Sequence, residues 1–489
     1  MKTILAYLAL IVSVNLFAAE TYTPPPESAG GWRWCKTPEE VRSLAGMDPA
    51  KLDLIKERQL QMFQGPWQIV IIRKGYLVAE WYGVPTMPTT TFDGWSCTKS
   101  STGIAFGLLM DDSRHHKLPH DAQIDLDTPI YDYVPEGFPL TDPEKTKIKL
   151  RHILSMTSGI PGEDHGLVGL SAAPGGGDFE IALGKQPNRF GKSAAQLTSE
   201  PGTAWEYSDT GFAHLSLFFY HATGREIADF MKERVFDPIG IENVGWDWQG
   251  GVAGNIGPHT NPHSGLRFTA RDFARLGYLM AHNGKWNDKQ IVPEWWIEQA
   301  TKSSQKMNPS YGYTFGVNTD GVLWPTVPRD AFAFMGFTAS RLYIVPTLDL
   351  VVARLGYAPK TGEKEPCFQL WWRPFWTHPI PRNDLASGNG LRISLTFTGA
   401  ISPSRRPSYK NFLKDRFTRS TDSLLAKRGP WRHLCTVWYQ HNCYDPGIIR
   451  LWSLFQFVRT YLLHGLLSQQ EQVRSCEEGA SRQSDEFLC

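Results

Sequence analysis

The sequence predicts an α+β protein in which an antiparallel sheet is flanked by helices and interrupted by an all-helical lobe. Three observations predict it. Residues 67–81 read as two β-rich runs on either side of a Lys-Gly turn, the pattern of a hairpin. A second β-rich group follows much later, at 331–335, 342–345 and 350–353. Between the two groups lie helix-like stretches and Gly- and Pro-rich loops such as Ala173-Pro174-Gly175-Gly176-Gly177. Strands at both ends with helices between them fit one sheet assembled from both ends of a domain.

In chain order, the first element is a signal-like segment, residues 1–19: Lys2, an apolar run over 4–17, then Ala18-Ala19. This is the layout of a secretory signal, and it predicts a periplasmic or secreted protein; an uncleaved anchor is the alternative. Export would permit disulfides. The cysteines are seven, at 35, 97, 367, 435, 443, 476 and 489, with no metal-like C-x-x-C spacing. The hairpin at 67–81 comes next, and then Ser96, which opens a run of small and apolar residues (Gly103, Ile104, Ala105, Phe106, Gly107, Leu108, Leu109) suited to a buried helix. The late strands turn at Gly336. After 378 the character changes: the segment 379–489 is Arg- and Ser-rich and carries four of the cysteines. Within it, 448–467 has the pattern of a helix with Arg450, Arg459 and His464 among apolar residues. So few basic residues argue against a membrane-surface role, and the character of the segment stays open between a disordered tail and a stretch translated from a frame that selection never shaped. These changes divide the chain into 1–19, a domain at 45–378, and 379–489.

The chemistry is expected at Ser96-Cys97-Thr98-Lys99. On a helix, residues i and i+3 share a face, so Lys99 would aim its amine at Ser96 Oγ. A serine hydroxyl becomes a nucleophile when an adjacent base takes its proton. The same pattern occurs at Ser303-Ser304-Gln305-Lys306, but in a polar stretch after a helix-like segment. Context therefore selects Ser96, and Cys97 beside it reads as a small buried side chain.

Around Ser96 the residues resemble a family, the serine β-lactamase-related hydrolases. These include class C β-lactamases, D-alanyl-D-alanine peptidases, family VIII esterases and 6-aminohexanoate-dimer hydrolases. The resemblance runs from about Met47 to about Trp376. It rests on Gln123-Ile124-Asp125-Leu126-Asp127-Thr128-Pro129-Ile130, on the stretch from His152 through Thr157-Ser158-Gly159-Ile160, on Pro201-Gly202-Thr203 leading to Tyr207-Ser208-Asp209-Thr210-Gly211, and on Phe268-Thr269-Ala270-Arg271-Asp272-Phe273-Ala274-Arg275-Leu276-Gly277. The family fold it implies is the one predicted above, with the active site in the cleft between sheet and helical lobe.

The resemblance implies a division of labour. Ser96 would carry the acyl group, Lys99 would be its base or the base's electrostatic partner, and Tyr207 would shuttle the proton to the leaving group. A nearby Lys99 cation would favour the phenolate of Tyr207. Asp209 stands where the family usually has Asn, so its charge would hold Lys99 and weaken it as a base. The family's third motif corresponds to Phe334-Met335-Gly336, with Gly336 letting the backbone approach substrate and the N–H groups of Ser96 and Phe337 forming the oxyanion hole. The side chains there are apolar, where β-lactam-processing relatives supply a cation or hydroxyl. Arg341 is the nearest replacement cation. Neutral short-chain esters or amides are the expected substrates, and a non-catalytic binding or sensor member of the fold is the alternative.

Other classes have little support. A net charge of +1 gives no global reason to expect a nucleic-acid partner. No Gly-x-Ser-x-Gly elbow, phosphate loop or dinucleotide fingerprint occurs, so no cofactor is expected. His115, His116 and His120 fall in a charged loop and read as solvated side chains, not metal ligands.

Overall fold

A computed structural model describes residues 22–62, 65–168, 177–250 and 255–357. The signal-like segment 1–19 and the C-terminal segment 379–489, with its helix-like stretch at 448–467, lie outside the described residues. The predicted hairpin is formed by Trp67–Arg73 and Tyr76–Gly83, in register from Arg73 opposite Tyr76. Its two-residue turn places Lys74 and Gly75 at φ 49° and 71°. A turn with both central residues left-handed matches the twist of the flanking strands.

The late strands complete the same sheet. Leu350–Gly356 runs antiparallel to Trp67–Arg73, with Leu350 opposite Arg73 and Gly356 opposite Trp67. The order across the seven strands is Arg33–Trp34, Tyr76–Gly83, Trp67–Arg73, Leu350–Gly356, Arg341–Val345, Phe332–Met335 and Gly316–Val317. One pairing departs from the expected antiparallel sheet: Arg33–Trp34 lies parallel to Tyr76–Gly83. The chain between Trp34 and Trp67 contains the helices Pro38–Ser43 and Pro49–Met62, and a parallel neighbour needs a crossover of about that length.

Both faces of the sheet are covered. Val70 and Ile72 join the larger core with Phe106, Leu109 and Phe273, while Ile69 and Ile71 pack into a smaller core with Leu52 and Ile55. This explains why Ile69-Val70-Ile71-Ile72 reads as an unbroken apolar run and not as an alternating one. Each such side chain contributes about 1.5–3 kcal/mol by leaving water. Helix Ala270–Ala281 covers the larger-core face. Thr269 Oγ1 accepts from Asp272 N at 3.1 Å to start it, and Gly277 sits directly against Val351 and Leu342.

Helix Cys97–Arg114 is buried along almost its whole length. Its small residues are what permit this. A Cβ on Gly103 would fall 2.2 Å from Thr314 Oγ1, and one on Gly107 2.1 Å from Trp296 Cδ1. Phe106 meets Phe218 and Phe219 of helix Asp209–Thr223, with ring centroids 5.7 and 5.6 Å apart. The inserted region is mostly helices and single turns, as expected, but not strand-free. Leu266–Phe268 pairs with both Phe92–Asp93 and Val244–Trp246 in a small second sheet.

Candidate active site

The approach to Ser96 is a tight turn. Gly94 N donates to Leu266 O at 2.9 Å, Trp95 N donates to Asp93 Oδ1 at 2.7 Å, and Trp95 takes φ 52°. Ser96 at the helix N-cap already has helical dihedrals, φ −63° and ψ −6°. Ser96 and Lys99 therefore share a face, and Lys99 Nζ donates to Ser96 Oγ at 3.1 Å. Ser303, the other serine in a Ser-x-x-Lys pattern, follows helix Glu294–Ala300 in a non-helical loop and donates to Gln305 O at 3.1 Å.

Tyr207 meets Ser96 from the helical lobe, its hydroxyl donating to Ser96 Oγ at 2.7 Å. The Thr157-to-Gly162 stretch holds it there. Gly162 lies flat on the Tyr207 segment, where a Cβ would be 2.1 Å from Tyr207 O. Glu163 N donates to the same carbonyl at 3.3 Å. Ser208 then caps helix Asp209–Thr223, its Oγ accepting from Gly211 N at 2.8 Å.

Lys99 is 2% exposed and lies among fixed groups. Its Nζ is 2.5 Å from Asp209 Oδ1, 3.0 Å from His263 O and 4.8 Å from the Tyr207 ring centroid. Burial opposes ionisation of Asp209, but Lys99 and His263 nearby hold its carboxyl below the usual range. His263 lies with Nδ1 3.7 Å from Asp209 Oδ2. Burial, against the pull of Asp209, lowers its imidazole to about 4, so it is neutral near pH 7. Tyr311 is raised by burial and by Tyr207.

The third element closes the site from the sheet. Strand Phe332–Met335 leads to Gly336, and there is no room for a side chain at that position: a Cβ would lie 2.0 Å from Gly94 O and 3.0 Å from Cys97 Sγ. Phe334 points into the core against Phe273 and Phe315, at 5.7 and 5.1 Å between centroids. Met335 and Phe337 are exposed, and the Phe337 ring stands edge-on to Trp95 at 5.7 Å. Arg341 is buried beneath this turn, Nη1 donating to the carbonyls of Gly336 and, at 2.8 Å, Ser340. The structure thus gives Arg341 the work of bracing the turn, in contrast to the expected cleft cation.

Ser96, Lys99, Tyr207, Asp209 and Gly336 lie together in the fold, with Phe337 at the rim. Glu163 and His263 were missed. Glu163 had a signal, an acid just past the Thr157-Ser158-Gly159 stretch. His263 had none, because its carbonyl and ring reach Lys99 and Asp209 from a loop distant in sequence.

The chain belongs to the β-lactamase family, whose model matches residues 61–365. The fold is similar to that of a Bacillus anthracis protein provisionally assigned as a 6-aminohexanoate-dimer hydrolase, with a TM-score of 0.50 and 20% identity, covering 68% of this chain and 84% of that one. It is also similar to EstCE1, a hydrolase with promiscuous acyltransferase activity (TM-score 0.50, 16% identity, 67% of this chain and 98% of that one). An unguisins hydrolase of Aspergillus campestris is 26% identical over 173 residues, which is 35% of this chain and 30% of that protein. The chain thus spans less than a third of that relative's length. The family and the fold are those of serine hydrolases.

Proposed function

We propose that the protein is an exported serine hydrolase that cleaves a small amide or ester through an acyl-enzyme on Ser96. The observation that carries this reading is Ser96 Oγ held between Lys99 Nζ at 3.1 Å and Tyr207 OH at 2.7 Å. The Ser96 proton leaves as Oγ bonds to the substrate carbonyl carbon. Lys99 is tied to Asp209, so the proton goes to Tyr207 in its phenolate form, which the neighbouring ammonium favours and which accepts from Ser96 Oγ where the neutral hydroxyl donates. The oxyanion is received by the N–H groups of Ser96 and Phe337. Tyr207 then protonates the leaving amine or alcohol, and a water deprotonated by the same group cleaves the acyl-enzyme.

Neutral substrates suit the rim. Met335, Phe337 and Trp95 are its exposed side chains, Phe334 is buried, and Arg341 is engaged beneath the turn. A substrate carboxylate buried there without a partner costs several kcal/mol. Screening short-chain esters, small amides and β-lactams tests this, and Ser96→Ala should abolish turnover of the best substrate. Turnover by Ser96→Ala near the wild-type rate would contradict the assignment, and efficient hydrolysis of penicillins would contradict the substrate preference. Export rests on the signal-like segment at 1–19. An intact mass retaining those residues after secretory expression would contradict it.

A further inference from the structure

Behind Lys99 lies a set of buried groups that the acyl-transfer scheme leaves unused. Gly162 presses the loop onto the Tyr207–Asp209 segment, and this brings Glu163 to Asp209. Asp209 N donates to Glu163 Oε1 at 3.4 Å, which brings the two carboxyl groups close enough for each to act on the other's ionisation. Glu163 Oε2 is buried and faces no hydrogen-bond donor among the described residues. Asp209 Oδ1 is 2.5 Å from Lys99 Nζ. One ammonium thus stands against two carboxyls. Two neighbouring carboxylates repel unless one holds a proton, and a proton between them would give Glu163 a donor.

We propose that Glu163 and Asp209 form an acid pair holding one proton, and that Glu163 is the positioning residue that keeps Lys99 paired with a single negative charge. This rests on the Ser96 acyl-enzyme reading. Burial first, and the Asp209 charge second, push the Glu163 carboxyl well above the usual carboxylate range. The other groups facing the pair are Lys99 on helix Cys97–Arg114, His263 on its loop, and Tyr207 and Tyr311. On the side of its own loop lie Asp164, facing solvent, and His165, which pairs with Glu206 at 2.7 Å. When the shared proton is lost, two carboxylates face Lys99, the pocket gains a net negative charge, and Tyr207 becomes harder to ionise.

The test is the rate at which a fluorophosphonate labels Ser96 in the full chain, followed across pH for wild type, Glu163→Gln, Glu163→Asp and Glu163→Ala, with a melting curve for each. Wild type should slow on the alkaline side as the shared proton leaves. Glu163→Gln keeps a donor to Asp209 but has no proton to lose. It should label within about threefold of wild type near neutrality, with the alkaline fall displaced upward by about one pH unit or more. Glu163→Asp keeps an ionisable acid and should keep the fall, whereas folded Glu163→Ala should label at least about tenfold more slowly. An alkaline fall unchanged in Glu163→Gln or absent from Glu163→Asp, or a Glu163→Ala profile equal to wild type, overturns the proposal. Independently of activity, the infrared spectrum of wild type near neutrality should contain a protonated-carboxyl band missing from Glu163→Gln. Its absence also overturns the pair. Failure of folded wild type to label at all contradicts the acyl-enzyme reading instead, while the infrared band still reports on the pair.

Discussion

At the scale of single residues, Lys99 and Tyr207 act on the same oxygen but fail differently when removed. Tyr207→Phe deletes the hydroxyl that meets Ser96 Oγ and leaves the packing of the ring. It should lower kcat/KM by about 10²–10⁴, the range for loss of a positioned acid–base group, with little change in melting temperature. Lys99→Ala also leaves Asp209 and Glu163 without their buried cation. Breaking a buried pair costs about 3–5 kcal/mol, so this variant should lose both activity and stability, as a urea titration beside the kinetics would record. Arg341→Ala strips the Arg341 donor from Gly336 O, whereas Ser340 O keeps Gly336 N at 2.8 Å and Cys97 Sγ at 3.4 Å. A buried carbonyl left unpaired costs about 1–3 kcal/mol. The variant should melt earlier, and its KM for a neutral ester should change less than its stability does.

At the scale of elements, the packing of helix Cys97–Arg114 decides a sign that helix propensity alone would get wrong. Gly107→Ala gains about 1 kcal/mol of helix propensity, but the new Cβ would meet Trp296, whose ring is fully buried. Overpacking costs about 1–3 kcal/mol, so a net loss is expected by thermal melting, and a gain would mean that Trp296 can move. Gly336→Ala is more severe, because the obstacle is the Gly94 carbonyl that accepts from Cys97 N at 3.1 Å to begin the helix. It should impair both stability and Ser96 labelling.

Elements were also where the sequence was most legible. The hairpin, the late strands and the Ser96 helix follow from periodicity and turn residues that act locally. The parallel edge strand Arg33–Trp34 and the small sheet at Leu266–Phe268 are two or three residues long and exist through distant partners, so no local pattern announces them. The site divides the same way. Ser96 and Lys99 are one helical turn apart, and motif spacing carried Tyr207, whereas His263 is assembled by the fold alone. The direction of Arg341 followed from the turn it braces and could not be read from its place in the strand.

For the whole molecule, buried neutral histidines set a pH dependence. Burial lowers His214, which is fully enclosed, to about 3, and His263 to about 4, from an ordinary 6.5. Between these values the unfolded chain binds protons that the folded chain refuses, so stability is intact above about pH 6.5 and falls as pH drops toward 4. The loss should be on the order of a few kcal/mol, and denaturant midpoints measured across that range check it. A His214→Phe variant that still folds should flatten part of the slope. The sheet is completed by Leu350–Gly356 and the family match ends at residue 365. A chain ending near Arg382 should therefore stay cooperative in melting and active, and loss of either would show that residues beyond 382 are required.

The central claim is that Ser96 carries the acyl group, and the most direct measurement is mass spectrometry after fluorophosphonate treatment of the folded chain. The account predicts one adduct per chain, mapped to the peptide containing Ser96 and absent from Ser96→Ala. An adduct on Ser303 or any other residue, or no adduct on a protein that melts cooperatively, would contradict it.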